Sequence, residues 1–261
     1  PKMPSNVHTL IPPVAVILAA GEGTRIQNGD SDVPKPLLKI RGLSLAERAI
    51  AQMLQVGINS FVIVLGSRSE ECRIEFKNIA KKRECKINFV VAEDYREGNG
   101  SSLLAVKNIV GNTPFIMTMV DHLLPRWMIN KVLDNPPSDG KIALAVDSDV
   151  DNIFDIPDLT KINILRGKIL NIGKDLTEWN AGDTGLFYCT SVIFEGLLSA
   201  KKLGNYSLTD GVLECVKKGK VQIIDVTGAK WIDVDTPEAI SMAEKLDDET
   251  MVKPEEAVDR G

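Results

Sequence analysis

The chain has 261 residues, 44% of them hydrophobic and 26% charged, with a formal net charge of −5, which fits a folded globule with a sizeable core. A net negative chain has no global attraction for nucleic acid or an anionic membrane, so any anionic ligand must be met by local positive groups. Cys72, Cys85, Cys189 and Cys215 form no CxxC pair, and only His8 and His122 could join them; reduced structural thiols are expected rather than a zinc site or a disulfide framework.

The opening "PKMPSNVHTLIPP" is polar and proline-rich without an apolar signal core, so export is not expected and the chain is placed in the cytoplasm. It begins on Pro1 rather than methionine, and a processed chain or a piece of a longer one is expected. Residues 1–13 read as an extension. No apolar run approaches the roughly 20 residues needed to cross a bilayer.

The runs "VAVILAA" (14–20), "SFVIVLG" (60–66), "INFVVAE" (87–93), "PFIMTMV" (114–120) and "KIALAVD" (141–147) are bounded by turn residues or charges and read as buried strands. "SLAERAIAQMLQVG", "SEECRIEFKNIAKKRE" and "GSSLLAVKNIVG" between them have helical spacing. Strands alternating with helices imply an α/β fold, a Rossmann-like, mostly parallel sheet flanked by helices. From about Asn152 the texture becomes β-rich. "TKINILRGKILNIGK" predicts a hairpin turning at Arg166-Gly167, followed by a strand in "AGDTGLFYCT", and together they predict a small antiparallel β insertion. Helices over 191–203 and 208–218, a strand in "KVQIIDV" and a helix from Thr236 to about Lys245 complete one domain over 14–245. Residues 246–261 are charged and poor in aliphatics and read as a mobile tail or a linker to another domain.

The glycine-rich turn at Gly21-Glu22-Gly23 follows the first strand, where backbone N–H groups at the mouth of a sheet can receive a phosphate. Its spacing fits neither GxGxxG nor GxxxxGK[ST]. Arg25 follows closely, and Lys35 stands between Pro34 and Pro36, whose rings restrict the backbone around it. Each charge alone could be a solvated loop residue. Together, an arginine fork and a lysine point charge suit a triphosphate attacked at its α-phosphorus. The string "LAAGEGTRI…VPKPLLKI" resembles the signature of the sugar-nucleotide pyrophosphorylase-like nucleotidyltransferases, matching from Leu18 to Arg25 and at Pro34, Lys35 and Leu37.

That resemblance implies the nucleotide-diphospho-sugar transferase fold, Mg2+ as cofactor and small-molecule substrates, a nucleoside triphosphate and a phosphorylated polyol. Arg25 and Lys35 are the implied catalytic residues. Leu18, Ala19, Ala20, Gly21, Gly23 and Thr24 are implied to hold the nucleotide. "YREGNGSSLLAVK" resembles the segment facing the base, adding Glu93, Gly98, Asn99 and Ser101. Asp121 ends a central strand and is the implied metal ligand, completed near the C-terminus by Asp235 or Asp233 in "WIDVDTPEAI"; helix capping there is the competing account. "NIGKDLTEWNAGDTGLF" is similar to the acceptor region and nominates Lys174, Asp183 and Gly185. Gly173 and Asp183 depart from the glutamate and asparagine common in relatives that take a hexosamine. "VDHLL", "GDTGLF" and "WIDVDTPEA" most resemble the CTP:inositol-1-phosphate cytidylyltransferases of archaea and thermophiles, whose product serves compatible-solute synthesis. In that family a membrane-embedded domain often follows, so a membrane enters only through such a fusion, and a homodimer is compatible. The rival readings are a nucleotidyltransferase for another acceptor of the hexose 1-phosphate, phosphocholine or molybdopterin type, a non-catalytic nucleotide-binding relative, and a Rossmann-type oxidoreductase.

Overall fold

The structure, a computed structural model, describes residues 13–21, 33–66 and 69–246. In chain order its elements begin with β1 (Val14–Ala19), a 3-10 turn (Lys35–Leu37), β2 (Lys39–Ile40), β3 (Leu43–Ser44), α1 (Leu45–Leu54), β4 (Ser60–Leu65), α2 (Ser69–Lys82) and β5 (Lys86–Val91). There follow α3 (Asn99–Leu104), α4 (Lys107–Val110), β6 (Phe115–Met119), β7 (His122–Leu123), α5 (Arg126–Leu133) and β8 (Ile142–Asp147). The remainder is β9 (Lys161–Leu165), β10 (Lys168–Gly173), β11 (Ala181–Cys189), α6 (Val192–Lys202), α7 (Leu208–Lys217), β12 (Val221–Asp225), β13 (Ile232–Asp233) and α8 (Pro237–Ala243).

β1 lies between β4 and β6 and runs parallel to both, and β5 extends the parallel block beyond β4. β1, β4 and β6 are buried along almost their whole length, as expected of strands covered on both faces, whereas β5 at the sheet edge alternates, with Lys86 and Asn88 exposed. Successive side chains still point to opposite faces. Val16, Leu18, Val62 and Val64 enter one core with Phe115 and Met117, while Ala15, Ile17, Ile63 and Leu65 enter the other with Phe61 and Phe76. Among the described residues no helix is long and apolar enough to cross a membrane.

The expected hairpin forms, with Arg166 at φ 49° and Gly167 at φ 72°, a two-residue turn whose twist matches its strands. This small antiparallel part joins the main sheet. β11, nine residues long, pairs with β6 near its C-terminal end, with β8 on its other edge and with β9 through Ala181 and Gly182, so β9 and β10 extend the same nine-stranded sheet. The register of β11 against β8 breaks between Asp183 and Phe187, a bulge of the kind that re-aims side chains near sites.

Two other departures from the sequence reading have local causes. The helix expected over 100–111 is split into α3 and α4 around Val106, and α5, which was not anticipated, buries Met128, Ile129 and Val132 on one side after Pro125. Two short antiparallel pairings, β2 with β3 and β7 with β13, lie off the main sheet. The second sets Asp233 opposite His122.

Candidate active site

The C-terminal ends of the parallel strands open on a cavity of about 830 Å3, where open α/β sheets receive ligands. β1 delivers Leu18 and then Ala20 and Gly21 to its wall, and β6 leads into Asp121. The Val120 N–H donates to the Leu18 carbonyl at 3.0 Å, and the Val234 N–H donates to the Asp121 carbonyl at 3.0 Å. Those bonds and the β7–β13 pairing bring the C-terminal carboxylates of Asp233 and Asp235 to the same wall as Asp121.

Lys35 sits in the 3-10 turn between its prolines, with the Leu37 N–H closing onto the Pro34 carbonyl at 2.8 Å. Only 7% of Lys35 is exposed, and its ammonium contacts Asp121 Oδ2 and Asp235 Oδ1, residues 86 and 200 positions away. A buried lysine is costly to keep charged unless anions face it. His122 Nδ1 lies 2.8 Å from Asp121 Oδ1 and 3.9 Å from Asp233 Oδ1.

Burial raises the Asp121 carboxyl, but the Lys35 ammonium and His122 imidazole outweigh it and hold the group well below the usual carboxylate range. Asp233 is pushed up to about 6, first by burial and then by the charge of Asp121, with His122 opposing. Burial pulls His122 down, yet Asp233 and Asp121 leave it raised on balance. Asp233 Oδ1 is buried and has no hydrogen-bond partner among the described residues. An orphaned carboxylate oxygen among other carboxylates fits a hard cation, and Asp233 belongs to two groups whose donor atoms lie close together, one with Asp121 and His122 and one with Asp158 and Asp235. Asp158 lies close enough to Asp233 and Asp235 to join such a set.

The cavity brings together part of what the sequence nominated. Leu18, Ala20, Gly21, Lys35, Asn99, Asp121, Lys174, Asp183, Gly185, Asp233 and Asp235 all line it. Ala19 points to the other face of the sheet and packs with Ala15 and Ile17. Glu93 is exposed just beyond β5. Gly98, at φ +156°, presses against the Tyr206 carbonyl, and Ser101 donates its hydroxyl to Glu97 at 3.1 Å, so both shape the loop rather than the wall. Gly23, Thr24 and Arg25 lie outside the described residues.

At the end nominated for the acceptor, Lys174 pairs with Asp158 at 2.5 Å. Asp183 accepts from the Gly185 N–H at 2.8 Å and is nevertheless pushed up to about 6 by burial. Gly185 has φ +71°, and a Cβ there would run into the His122 ring, so both backbone conformation and space demand glycine. Asn99 Oδ1 accepts from the Leu208 N–H at 2.7 Å and ties α3 to the start of α7, where Ser207 and Asp210 form a reciprocal capping box. The sequence reading missed His122, Asp158, Trp231, Ser207 and Asp210, all of which reach the cavity. His122, adjacent to Asp121, was the one with a visible signal.

The mostly parallel sheet, the 3-10 turn and the β7–β13 pairing bring a buried lysine and three carboxylates to one cavity, an arrangement that suits the nucleotidyltransferase class. The profile of the family described as MobA-like NTP transferase domain matches residues 15–179, and the chain belongs to that family. It is 33% identical over 246 residues to the "Bifunctional IPC transferase and DIPP synthase" of Thermococcus kodakarensis, covering 94% of this chain and 52% of that protein. The protein of the same name from Aquifex aeolicus is 33% identical over 239 residues, covering 92% and 53%. The chain therefore spans about half the length of these relatives. The solved inositol-1-phosphate CTP transferase from T. maritima shares the fold, with a TM-score of 0.77 at 22% identity over 90% of this chain and 97% of that one.

Proposed function

We propose that the chain is a Mg2+-dependent cytidylyltransferase that joins CTP and inositol 1-phosphate to give CDP-inositol and pyrophosphate. The observation that carries the nucleotidyl-transfer chemistry is the meeting of Lys35 with Asp121, Asp233 and Asp235 at one cavity wall. The choice of CTP and inositol 1-phosphate is supported by the printed names of two relatives aligned over nearly the whole chain and of one structural neighbour.

In this reading a phosphate oxygen of the acceptor attacks the α-phosphorus in line. The bond from that phosphorus to the bridging oxygen breaks, and pyrophosphate leaves with the electron pair. A phosphomonoester, whose second pKa is about 6, is already a nucleophile near neutral pH, so the protein supplies position and charge rather than a general base. Asp121, Asp233 and Asp235 would hold Mg2+, which when bound neutralises charge on the phosphates. Lys35 neutralises charge building on the α-phosphoryl oxygens, and Arg25 that on the leaving pyrophosphate. The first-strand turn at Ala20 and Gly21 receives the triphosphate, Asn99 borders the nucleotide, and Lys174 and Asp183 take the acceptor's phosphate and hydroxyls.

Pyrophosphate release over a grid of four nucleoside triphosphates against inositol 1-phosphate, glucose 1-phosphate and phosphocholine tests class, base and acceptor together. The expected outcome is turnover confined to CTP with inositol 1-phosphate. Preference for another acceptor overturns the polyol assignment, and tight CTP binding with no turnover for any pair overturns catalysis.

A further inference from the structure

We propose that His122 is a positioning residue, one that aims the Asp121 carboxylate at the metal and is itself held by a relay running through Trp231 to Asp147. The inference rests on the metal-dependent reading above. The two oxygens of Asp121 have separate partners: Oδ2 faces the Lys35 ammonium and Oδ1 faces His122 Nδ1 at 2.8 Å. An ionised carboxylate only accepts, so Nδ1 carries the proton and donates it. A carboxylate gripped at one oxygen cannot rotate freely about its terminal bond, so its other oxygen stays on the cavity wall beside the Lys35 ammonium.

The ring is fixed more firmly than a casual contact requires. His122 is 5% exposed. It stacks on Trp231 with centroids 6.5 Å apart and planes 9° apart, and Trp231 Nε1 donates to Asp147 Oδ2 at 2.9 Å. Its backbone carbonyl accepts from Gln52 Nε2 at 3.0 Å, while Gln52 Oε1 accepts from the Leu124 N–H at 3.1 Å, so one buried amide grips both sides of β7. Gly185 leaves open the space against the ring's far nitrogen. With Nδ1 committed to Asp121, the imidazole acts on the carboxylate, whereas hard oxygens suit the cation.

The test is Mn2+ titration of the full chain without nucleotide, followed by electron paramagnetic resonance of free Mn2+, with thermal unfolding as the fold control. His122→Leu removes the donor and should weaken Mn2+ binding by roughly 10–100-fold, whereas His122→Asn, whose amide can still donate near the Nδ1 position, should stay within about threefold of the unaltered protein. Binding unchanged in His122→Leu, or equally weak in His122→Asn, overturns the positioning role; the second result would make the ring itself a ligand or a packing element. If His122→Leu does not fold, Trp231→Phe keeps every carboxylate and His122 while cutting the link to Asp147. It should weaken Mn2+ binding severalfold, and unchanged binding there overturns the relay. Pyrophosphate release from CTP and inositol 1-phosphate by the unaltered protein is measured alongside. No release with the Mn2+ ranking intact sinks the reading of function, whereas normal release with the ranking lost sinks the role of His122.

Discussion

Lys35 is the residue on which local sequence and distant structure converge. The prolines beside it were legible as a rigid setting, but nothing local to "VPKPLL" says which anions it meets, because Asp121 and Asp235 arrive from elements far along the chain. Lys35→Ala is expected to lower turnover by about 100–1,000-fold, the scale of losing one group that stabilises transition-state charge. The same variant should bind Mn2+ more tightly than the unaltered protein in the absence of nucleotide, since two carboxylates lose their ammonium; calorimetry and steady-state kinetics read the two effects separately. Asp183 gives a prediction with a definite sign. Its carboxyl is pushed up to about 6, above its ordinary value near 3.9 in an unfolded chain, so the folded state holds that proton more tightly. Its contribution to stability is therefore greatest at low pH and declines as pH rises from about 4 through 6. Asp183→Asn keeps an oxygen for the Gly185 N–H but cannot ionise, so its Tm between pH 5 and pH 7.5 should decline less than that of the unaltered protein in parallel thermal melts. Asp158 escaped the sequence reading because Lys174, Asp233 and Asp235 come near it only in the folded chain, whereas His122 stands beside its partner Asp121 in the sequence.

Among the elements, long apolar strands and amphipathic helices declare themselves through period, and β1, β4, β6, β8, α1, α2, α6 and α7 were legible for that reason. A two-residue strand has no period, so the β7–β13 pairing, which aligns His122 with Asp233, could not be seen from sequence. The bulge in β11 had only Gly185, at φ 71°, as a local sign, and a lone glycine in a strand does not specify a register shift. The junction of α3 and α7 makes a sharp test of element packing. A Cβ on Gly100 would lie 2.6 Å from the Tyr206 carbonyl, so Gly100→Ala must push two backbones apart, at a cost of about 1–3 kcal/mol. It should also raise the KM for nucleotide through the Asn99 wall, with little change in kcat. Ser207→Ala removes the cap of α7 and should cost about 1 kcal/mol, lowering Tm by about 2–4 °C for a chain of this size. Calorimetric melts of the two variants rank them: the close approach should matter more than the cap.

For the molecule as a whole, the single nine-stranded sheet predicts that residues 13–246, produced alone, unfold in one cooperative transition whose midpoint agrees between far-ultraviolet circular dichroism and tryptophan fluorescence. The sheet is nevertheless not the site. β1 to β6 can in principle pair once the first 120 residues exist, but Asp233 and Asp235 reach Asp121 only through β13, which follows the last strand of the sheet. The consequence concerns biosynthesis. A nascent chain stopped before residue 232 would possess every strand of the large sheet and yet lack two of three carboxylates, so the site is completed only by a stretch made after the sheet. Premature termination then leaves an inert scaffold rather than a half-active catalyst that consumes triphosphate without control.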